Sequence, residues 1–419
     1  MMAGNDAPGA GHLRTGSLLH GTALIGDNPN MIIAPAPSNS AIGIYIHIPF
    51  CAHICPYCDF TTYAGKGELI PRYVRALETA LRREGERHPE LTVATVFLGG
   101  GTPSLLSASQ METILTACGR SFRIEPGAEI TVECNPNGLS TDLLSGYREA
   151  GVTRLSIGAQ TLDRRGLRTL GRQHESTDTR AALEAARLAG FDNVSLDLIF
   201  GWPGQTIDSW TRDLDAILSH TCNPEHLSLY GLIVEPGTPF ADAAARGVLQ
   251  IPDDDASADL YETAMATLES AGWVHYEVAN WARTPRSISR HNAIYWRNGE
   301  YLGIGAGAHG HIRNHRTMNH LLPETYCAAM ERGDEGASNA EAIGERAQLG
   351  ETMMLGLRLI RDGVDAGAFR QRHGQSLENA FGPILQDLER IGMLEVETHR
   401  VRLTPRGVML ANDVVGRFL

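Results

Sequence analysis

The sequence is short of cysteine, of positive charge and of long apolar runs, and each shortage excludes a class of protein. Its 419 residues include 36 Lys and Arg against 49 Asp and Glu, which gives a net charge of -13 at pH 7. Binding to nucleic acid needs clustered basic side chains, and no basic tract is present, so we expect no nucleic-acid partner. The apolar runs are far shorter than the ~20 residues of a membrane helix, so we expect no transmembrane span.

The seven cysteines argue against a secreted protein held together by disulfides. Their number is odd, and three of them, Cys51, Cys55 and Cys58, fall within eight residues. This distribution favours the reducing cytoplasm. The first forty residues are rich in Gly, Pro, Asn, Ser and Ala without sustained periodicity, so residues 1–40 are expected to form a disordered leader, with Met31 as an alternative start.

From residue 41 onward, short β-rich runs alternate with amphipathic helical patterns. The candidate strands span residues 42–48, 92–98, 129–134, 154–159, 193–200 and 226–233. The helical patterns between them span residues 69–87, 109–119, 141–150, 164–170, 177–189 and 209–219. This alternation predicts an α/β fold with parallel strands joined by crossover helices. Periodicity alone leaves a doubly wound sheet and a partial barrel open, but in both a ligand binds at the carboxyl ends of the strands.

The strand–helix rhythm changes after Pro252, which suggests further structural units. We predict a barrel over residues 41–252, a segment that covers the barrel mouth over residues 253–344, and a C-terminal domain over residues 345–419. In the last of these, helical patterns precede two β-rich runs, MLEVE and RVRLTPRG. Helices followed by a short hairpin predict a small winged-helix-like domain.

The three clustered cysteines follow the first strand directly, in the run CAHICPYC. Three thiolates in one loop suit a [4Fe–4S] cluster in which one iron has no protein ligand. A structural zinc site, with Cys134 or a histidine as the fourth ligand, is the alternative from the cysteines alone. The CX3CX2C spacing after a strand and the lack of a second nearby Cys-x-x-Cys pair favour the cluster.

Seven motifs in order along the chain carry a family resemblance. They are IYIHIPFCAHICPYCDF, GGGTP, VECNP, SIGAQ, GRQH, DLIFGWPGQT and YGLIVEPGTP. Together they resemble the radical-SAM proteins grouped with oxygen-independent coproporphyrinogen dehydrogenase, from about Ile42 to the end of the chain. The resemblance implies a partial (β/α)6 radical-SAM barrel and a [4Fe–4S] cluster on the three cysteines. It also implies S-adenosylmethionine at the free iron, where electron transfer into the sulfonium would release a 5′-deoxyadenosyl radical.

The resemblance also implies roles for residues at the strand ends. Those that would contact the first S-adenosylmethionine are Tyr45, Tyr57, Gly100, Gly101, Thr102 and Glu133, with the glycines letting the backbone approach the methionine amino group. Those that would contact a second S-adenosylmethionine, as in the dehydrogenase, are Gln160, Arg172, Asp197 and Gly231. The alternatives for this second set are the rim of a single cofactor site or a salt bridge between loops.

Two features resemble the HemW-type haem chaperone group rather than the dehydrogenase. Cys58 is followed by Asp59 and Phe60, whereas the dehydrogenase continues as CX3CX2CXC. The run HNAIYW at 291–296 matches the HNxxYW signature of the chaperones, which implies that His291 binds haem iron. A core histidine bonded to backbone is the alternative.

Two functions follow from the resemblance. The first is a haem chaperone that passes haem to membrane haemoproteins such as respiratory components, with an electron donor as a further partner if radical chemistry occurs. The second is an enzyme of porphyrin biosynthesis that converts coproporphyrinogen III to protoporphyrinogen IX.

Overall fold

The computed structural model describes residues 41–219 and 222–419, so the predicted leader lies outside the described residues. The strands are β1 Ala41–Ile48, β2 Phe50–Cys51, β3 Tyr63–Ala64, β4 Thr92–Gly100, β5 Arg123–Cys134, β6 Arg154–Gln160, β7 Val194–Phe200, β8 His226–Gly231, β9 Val274–Glu277, β10 Asn280–Ala282, β11 Tyr301–Ile304, β12 His309–Ile312, β13 His315–Asn319, β14 Ala337–Ala342, β15 Val364–Asp365, β16 Leu394–Val396 and β17 Arg400–Leu403.

The helices connect these strands. They are α1 Ile70–Arg87, α2 Ala108–Ser121, α3 Thr141–Glu149, α4 Arg164–Thr169, α5 Ser176–Leu188, α6 Ile207–Leu218, α7 Pro239–Ala245, α8 Asp254–Ser270, α9 Arg290–Trp296, α10 Pro323–Arg332, α11 Glu345–Gly356, α12 Ala366–His373, α13 Leu377–Arg390, α14 Pro405–Met409 and α15 Ala411–Gly416. Helices and strands alternate through the first two hundred described residues, which confirms the predicted α/β class.

One twelve-stranded sheet organises the molecule, in the order β14-β13-β12-β11-β1-β4-β5-β6-β7-β8-β10-β9. Its middle seven strands, from β11 to β8, are parallel. Six of these are the predicted strands, joined in sequence order as a partial (β/α)6 barrel requires. The seventh, β11, was not predicted, because its four residues lie in a glycine-rich run without alternation.

Residues 253–344 extend the sheet at both of its ends. Strands β10 and β9 continue it antiparallel beyond β8, and β12, β13 and β14 continue it antiparallel beyond β11. The segment was expected to cover the mouth of the barrel. Pairing along the edges explains the observed arrangement, because the outer strands of an open sheet would otherwise leave a row of backbone N–H and C=O groups unpaired.

The two faces of the parallel strands differ in polarity. In β1 the residues Ile42, Ile44, Ile46 and Ile48 are fully buried in the hydrophobic core. Successive side chains of a strand point to opposite faces, so the alternate residues face the barrel interior. These residues are largely polar, as Tyr45 and His47 illustrate. The barrel interior is therefore suited to a polar ligand.

The C-terminal residues form the predicted winged-helix-like unit. Strands β16 and β17 form a hairpin in which Leu394 pairs with Leu403, and β15 joins it at the other side of β17. Phe381 of α13 packs edge-on against Phe418, with 5.2 Å between ring centroids. In the part of the chain that the structure describes, we find no helix with the length and apolarity that a membrane span requires.

Candidate functional site

The three clustered cysteines lie at the carboxyl end of β1. Cys51 ends β2, while Cys55 and Cys58 lie in the turn that follows, where the Cys58 N–H donates to the Cys55 carbonyl at 3.0 Å. All three thiols are partly exposed. No three Cys, His, Asp or Glu side chains in residues 41–219 and 222–419 converge to hold a single metal ion. A four-iron cluster does not require such convergence, because each cysteine binds a different iron atom.

A chain of hydrogen bonds joins two of the cysteine sulfurs through Thr102 and Asn135, which follow β4 and β5, and Arg172, which follows α4. The Thr102 hydroxyl donates to Cys51 Sγ at 3.6 Å and accepts from Asn135 Nδ2 at 3.2 Å. Asn135 Oδ1 accepts from Arg172 Nη2 at 2.8 Å, and Arg172 Nη1 donates to Cys55 Sγ at 3.5 Å. Both sulfurs thus receive donors, as thiolates bound to iron require.

The surroundings of Cys51 act on its thiol in opposite directions, with a net rise of its pKa. Burial raises the pKa of the Cys51 thiol, but the Thr102 hydroxyl and the Arg172 charge act in the opposite direction. These residues therefore favour the thiolate form, which is the form that binds iron. The donor set fits a [4Fe–4S] cluster.

The glycine turn after β4 is held against the cysteine loop. Gly101 N–H donates to the Ile48 carbonyl at 2.9 Å, and Thr102 N–H donates to the Phe50 carbonyl at 2.8 Å. A Cβ at Gly101 would lie 2.8 Å from that Ile48 oxygen, and one at Gly100, where φ is +108°, would lie 2.2 Å from the His47 ring. Only glycine fits at these positions, so the turn needs its glycines for packing as well as for any approach to a ligand.

Glu133 lies directly under the glycine turn, where its Oε2 accepts from the Gly100 N–H at 3.0 Å. Burial, followed by the charge of Asp197, raises the pKa of Glu133 to about 7. A carboxyl group near neutrality would gain from a cationic ligand, because a nearby positive charge stabilises its ionised form. This is the position at which a methionine amino group or sulfonium was predicted.

Tyr45 is tied to the cysteine loop through His47. His47 Nε2 bonds to the Thr61 carbonyl at 2.8 Å, so Nε2 carries the proton, and Nδ1 then accepts from the Tyr45 hydroxyl at 2.9 Å. Burial lowers the pKa of His47 and keeps it neutral. Sequence reasoning did not single out His47, although it lies two residues beyond Tyr45 and so on the same face of the strand.

The residues assigned to a second S-adenosylmethionine lie on separate elements, with Asp197 inside β7 and Arg172 in the loop after α4. Gln160 ends β6 with φ of 63°, a left-handed conformation that non-glycine residues seldom adopt. Asp197 accepts hydrogen bonds from Ser156 and Ser195 rather than from Arg172. Gly231 ends β8 and is exposed. Among the described residues, Arg172 and Asp197 do not form the salt bridge that was the alternative for this set.

Tyr57 lies between the cysteine loop and α7, with its hydroxyl near Cys55. Its ring lies edge-on to Phe240 of α7, with 6.1 Å between centroids, and the preceding Pro56 accepts from the Phe240 N–H at 3.0 Å. Pro56 also lies against Gly171, where a Cβ would approach it to 2.5 Å. The loop is thus anchored on the far side of the barrel from His47.

His291 is the second residue of α9 and is almost completely buried, at 1% exposure. Its Nδ1 bonds with the Thr95 hydroxyl at 2.7 Å and its Nε2 with the Tyr295 hydroxyl at 2.8 Å. Burial, and then the charge of Arg154, lower the pKa of His291 to about 3. The imidazole is therefore neutral, and an iron atom would reach Nε2 only by displacing the Tyr295 hydroxyl.

Exposed apolar side chains stand around the cysteine loop. Within the loop, Phe60 is 68% exposed and Ile54 is 41% exposed, and Leu105 and Ile233 are exposed beyond the ends of β4 and β8. Large apolar side chains gathered at one place on a surface mark binding sites.

Comparison with known proteins assigns the chain to a class and then to a family. The Radical SAM superfamily pattern matches residues 45–217, and the HemN C-terminal domain pattern matches residues 345–410. The chain is 38% identical to "Heme chaperone HemW" of Bacillus subtilis over 376 residues, which covers 90% of this chain and 98% of that protein. It is also 38% identical to "Heme chaperone HemW" of Mycobacterium tuberculosis over 390 residues, covering 92% and 97%. The protein is thus of the radical-SAM class, and it belongs to the HemW family within it.

A solved structure confirms the fold. Coproporphyrinogen III oxidase (HemN) from Escherichia coli superimposes with a TM-score of 0.78, covering 92% of this chain and 91% of that one at 22% identity. This likeness establishes the shared architecture of barrel and C-terminal domain.

Proposed function

We propose that this protein is a haem chaperone, which binds haem beside a [4Fe–4S] cluster on Cys51, Cys55 and Cys58 and passes it to acceptor haemoproteins. The observation that carries the proposal is the exposed apolar surface of the cysteine loop. A porphyrin has two apolar faces, and the exposed ring of Phe60 can stack on one of them. The names of the relatives in the HemW family support the same ligand.

The cofactor set follows the radical-SAM class. The cluster would take S-adenosylmethionine at the iron that the cysteines leave free, with Glu133, Tyr45 and the glycine turn beneath it. Bound in this way, the pair supplies one-electron chemistry. Within the chain, Thr102 and Arg172 hold the thiolates by donating to their sulfurs. We place the protein in the cytoplasm, where thiols stay reduced, and take respiratory membrane proteins as the recipients.

A matched pair of variants tests the apolar contact. Phe60→Ser removes a 68% exposed ring from the cysteine loop, and Leu188→Ser removes a 70% exposed side chain at the end of α5. Helices of a βα unit run antiparallel to its strands, so Leu188 lies at the end of the barrel away from the cluster. A buried phenylalanine contributes ~1.5–3 kcal/mol, so Phe60→Ser should weaken haem binding about 10-fold or more. Equal haem affinity in both variants would place haem elsewhere.

We propose His291 as the iron ligand. Because this residue is only 1% exposed, haem would reach it only after α9 moves away from β1 and β4, in a step separate from the first contact with Phe60. In the tautomer that donates its Nδ1 proton to Thr95, Nε2 accepts from the Tyr295 hydroxyl, and bonds of the Thr95 kind orient metal-binding histidines. Tyr295→Phe should strengthen haem binding by removing the competing hydroxyl, whereas His291→Ala should abolish the absorption bands of the ligated iron. A haem spectrum that is identical in wild type and His291→Ala would show that another residue binds the iron.

A further inference from the structure

The barrel interior contains a cavity of about 200 Å³ whose lining is polar. Glu133, Asp197 and Ser228 lie on its walls, together with the hydroxyls of several tyrosines and the guanidinium of Arg154. Of these groups, Arg154 is the positively charged one, and neither the resemblance nor the chemistry of the cluster assigns it a role.

Arg154 is buried without a hydrogen-bond partner for its side chain, although its charge lowers the pKa of nearby Asp197. Arg154 begins β6, opposite Thr131 of β5, and only 2% of it is exposed. Among the described residues it forms no hydrogen bond and no ion pair, and its buried Nε and the hydroxyl of neighbouring Thr131 both lack partners. The two nearest carboxylates do not form a salt bridge with it and take their hydrogen bonds from other groups. Asp197 is held by serine hydroxyls, and Glu129 accepts the backbone N–H groups at the start of α9.

A guanidinium in this position requires an explanation. Arginine cannot lose its proton in a protein, so burial does not neutralise it. Removing a charge from water without a partner is strongly unfavourable, and buried charges in proteins are as a rule paired or hydrogen-bonded. The planar fork of donors matches a carboxylate, which can accept two parallel hydrogen bonds from it.

We propose that Arg154 receives a carboxylate group of the ligand that enters the barrel. The cavity is smaller than the roughly 300–1,000 Å³ of pockets that enclose drug-sized ligands, so it suits a carboxylate arm rather than a whole macrocycle. The identity of that arm rests on the proposed function. Haem carries two propionates, and S-adenosylmethionine carries one amino-acid carboxylate. Either carboxylate could bond to Arg154, and separate titrations with the two ligands distinguish them.

Three variants of the full-length, anaerobically reconstituted protein test the proposal. Arg154→Met keeps most of the side-chain volume and removes the charge, and Arg154→Lys keeps the charge but not the fork. Arg187→Met is the control, because Arg187 bonds to Glu225 and to the Phe191 and Asn223 carbonyls in the absence of any ligand. Each protein is titrated with haem, with haem dimethyl ester and with S-adenosylmethionine, and its Tm without ligand is measured.

We expect Arg154→Met to raise the Tm of the unliganded protein, because an unpaired buried charge is removed, and Arg187→Met to lower it. If the carboxylate belongs to haem, Arg154→Met weakens haem binding about tenfold or more, and wild type loses a similar factor when the propionates are esterified. If it belongs to S-adenosylmethionine, the loss appears in that titration alone. The ligand affinity of Arg154→Lys is expected to lie between those of wild type and Arg154→Met.

Two outcomes overturn the inference. One is a fall in the Tm of Arg154→Met with all ligand affinities unchanged, which would make the charge structural. The other is an unchanged affinity for both ligands with an unchanged or higher Tm, which would show that Arg154 does not meet the carboxylate of either ligand. If wild type binds no haem, the proposed function fails, but the S-adenosylmethionine titration and the Tm comparison still decide the role of Arg154.

Discussion

Gly100→Ala is predicted to disrupt the site severely, because two independent costs coincide at this residue. Its φ of +108° is a conformation that side-chain-bearing residues rarely adopt, with a cost of about 1–3 kcal/mol. A Cβ would also stand 2.2 Å from Cε1 and 2.3 Å from Nδ1 of His47. His47 cannot withdraw freely, because both of its nitrogens are hydrogen-bonded. Overpacking of this kind adds about 1–3 kcal/mol, for a total of about 2–6 kcal/mol.

Urea unfolding of the anaerobically reconstituted protein measures this loss, and Gly127→Ala separates its two components. Gly127 also has a positive φ, of +75°, but a Cβ there would have no neighbour within 4 Å. We expect Gly127→Ala to lose about 1–2 kcal/mol and Gly100→Ala to lose more, together with iron from the cluster. In a double variant with His47→Ala, part of the Gly100→Ala loss should be recovered. Equal losses in the two single variants, or no recovery in the double variant, would refute the steric argument.

Three further predictions concern other parts of the barrel. Thr102→Val removes the donor to Cys51 Sγ. Because hydrogen bonds to the sulfurs tune the midpoint potential of a cluster, we expect this variant to have a more negative potential in a redox titration followed by electron paramagnetic resonance. An unchanged potential would contradict this role of Thr102. The pKa of Glu133 rises from 4.5 to about 7 on folding, so the folded protein binds this proton more tightly and loses stability as the pH rises between these values. Glu133→Gln should therefore flatten the dependence of Tm on pH, and its Tm should exceed that of wild type most above pH 7. Parallel curves of Tm against pH for the two proteins would rule this out. Thr161→Val removes the hydroxyl that donates to the buried carboxylate of Asp213. We expect it to lower the free energy of unfolding, measured in urea, by about 1–3 kcal/mol. A smaller loss would show that the N–H of Leu162 alone satisfies this carboxylate.

The repeating units of the barrel were predictable because each strand and helix has its own pattern. All six predicted strands exist, and the helices agree to within two residues at either end. The start of α2 shows the usual source of error. Ser107 and Gln110 form a capping box that begins the helix at Ala108, one residue before the predicted span from 109.

The edge strands were not predictable, because contacts distant in sequence create them. β11 contains a glycine, Gly303, at which a Cβ would lie 2.0 Å from the His309 carbonyl. Gly303 is required because β12 passes close to it. The sequence around Gly303 contains no pattern that reveals this. Short strands of this kind form when an existing sheet edge offers unpaired backbone groups.

Only part of the site was predictable, because some of its residues lie in recognisable motifs and others are brought there by the fold. The cysteines and the glycine turn have spacings that can be recognised in a sequence, and Asn135 lies inside a recognised motif although no role was assigned to it. His47 and Arg154 have no such signature. A histidine or an arginine in a strand usually faces solvent or a paired charge, and only the closed interior of the barrel makes these two notable.

The central claim, that the protein carries haem rather than oxidising a porphyrinogen, is tested most directly by paired anaerobic assays on one preparation. The reconstituted wild type is titrated with haem and, separately, incubated with coproporphyrinogen III, S-adenosylmethionine and a reductant, with product analysis. We predict saturable haem binding and no protoporphyrinogen IX. Sustained formation of protoporphyrinogen IX without haem binding would contradict the account.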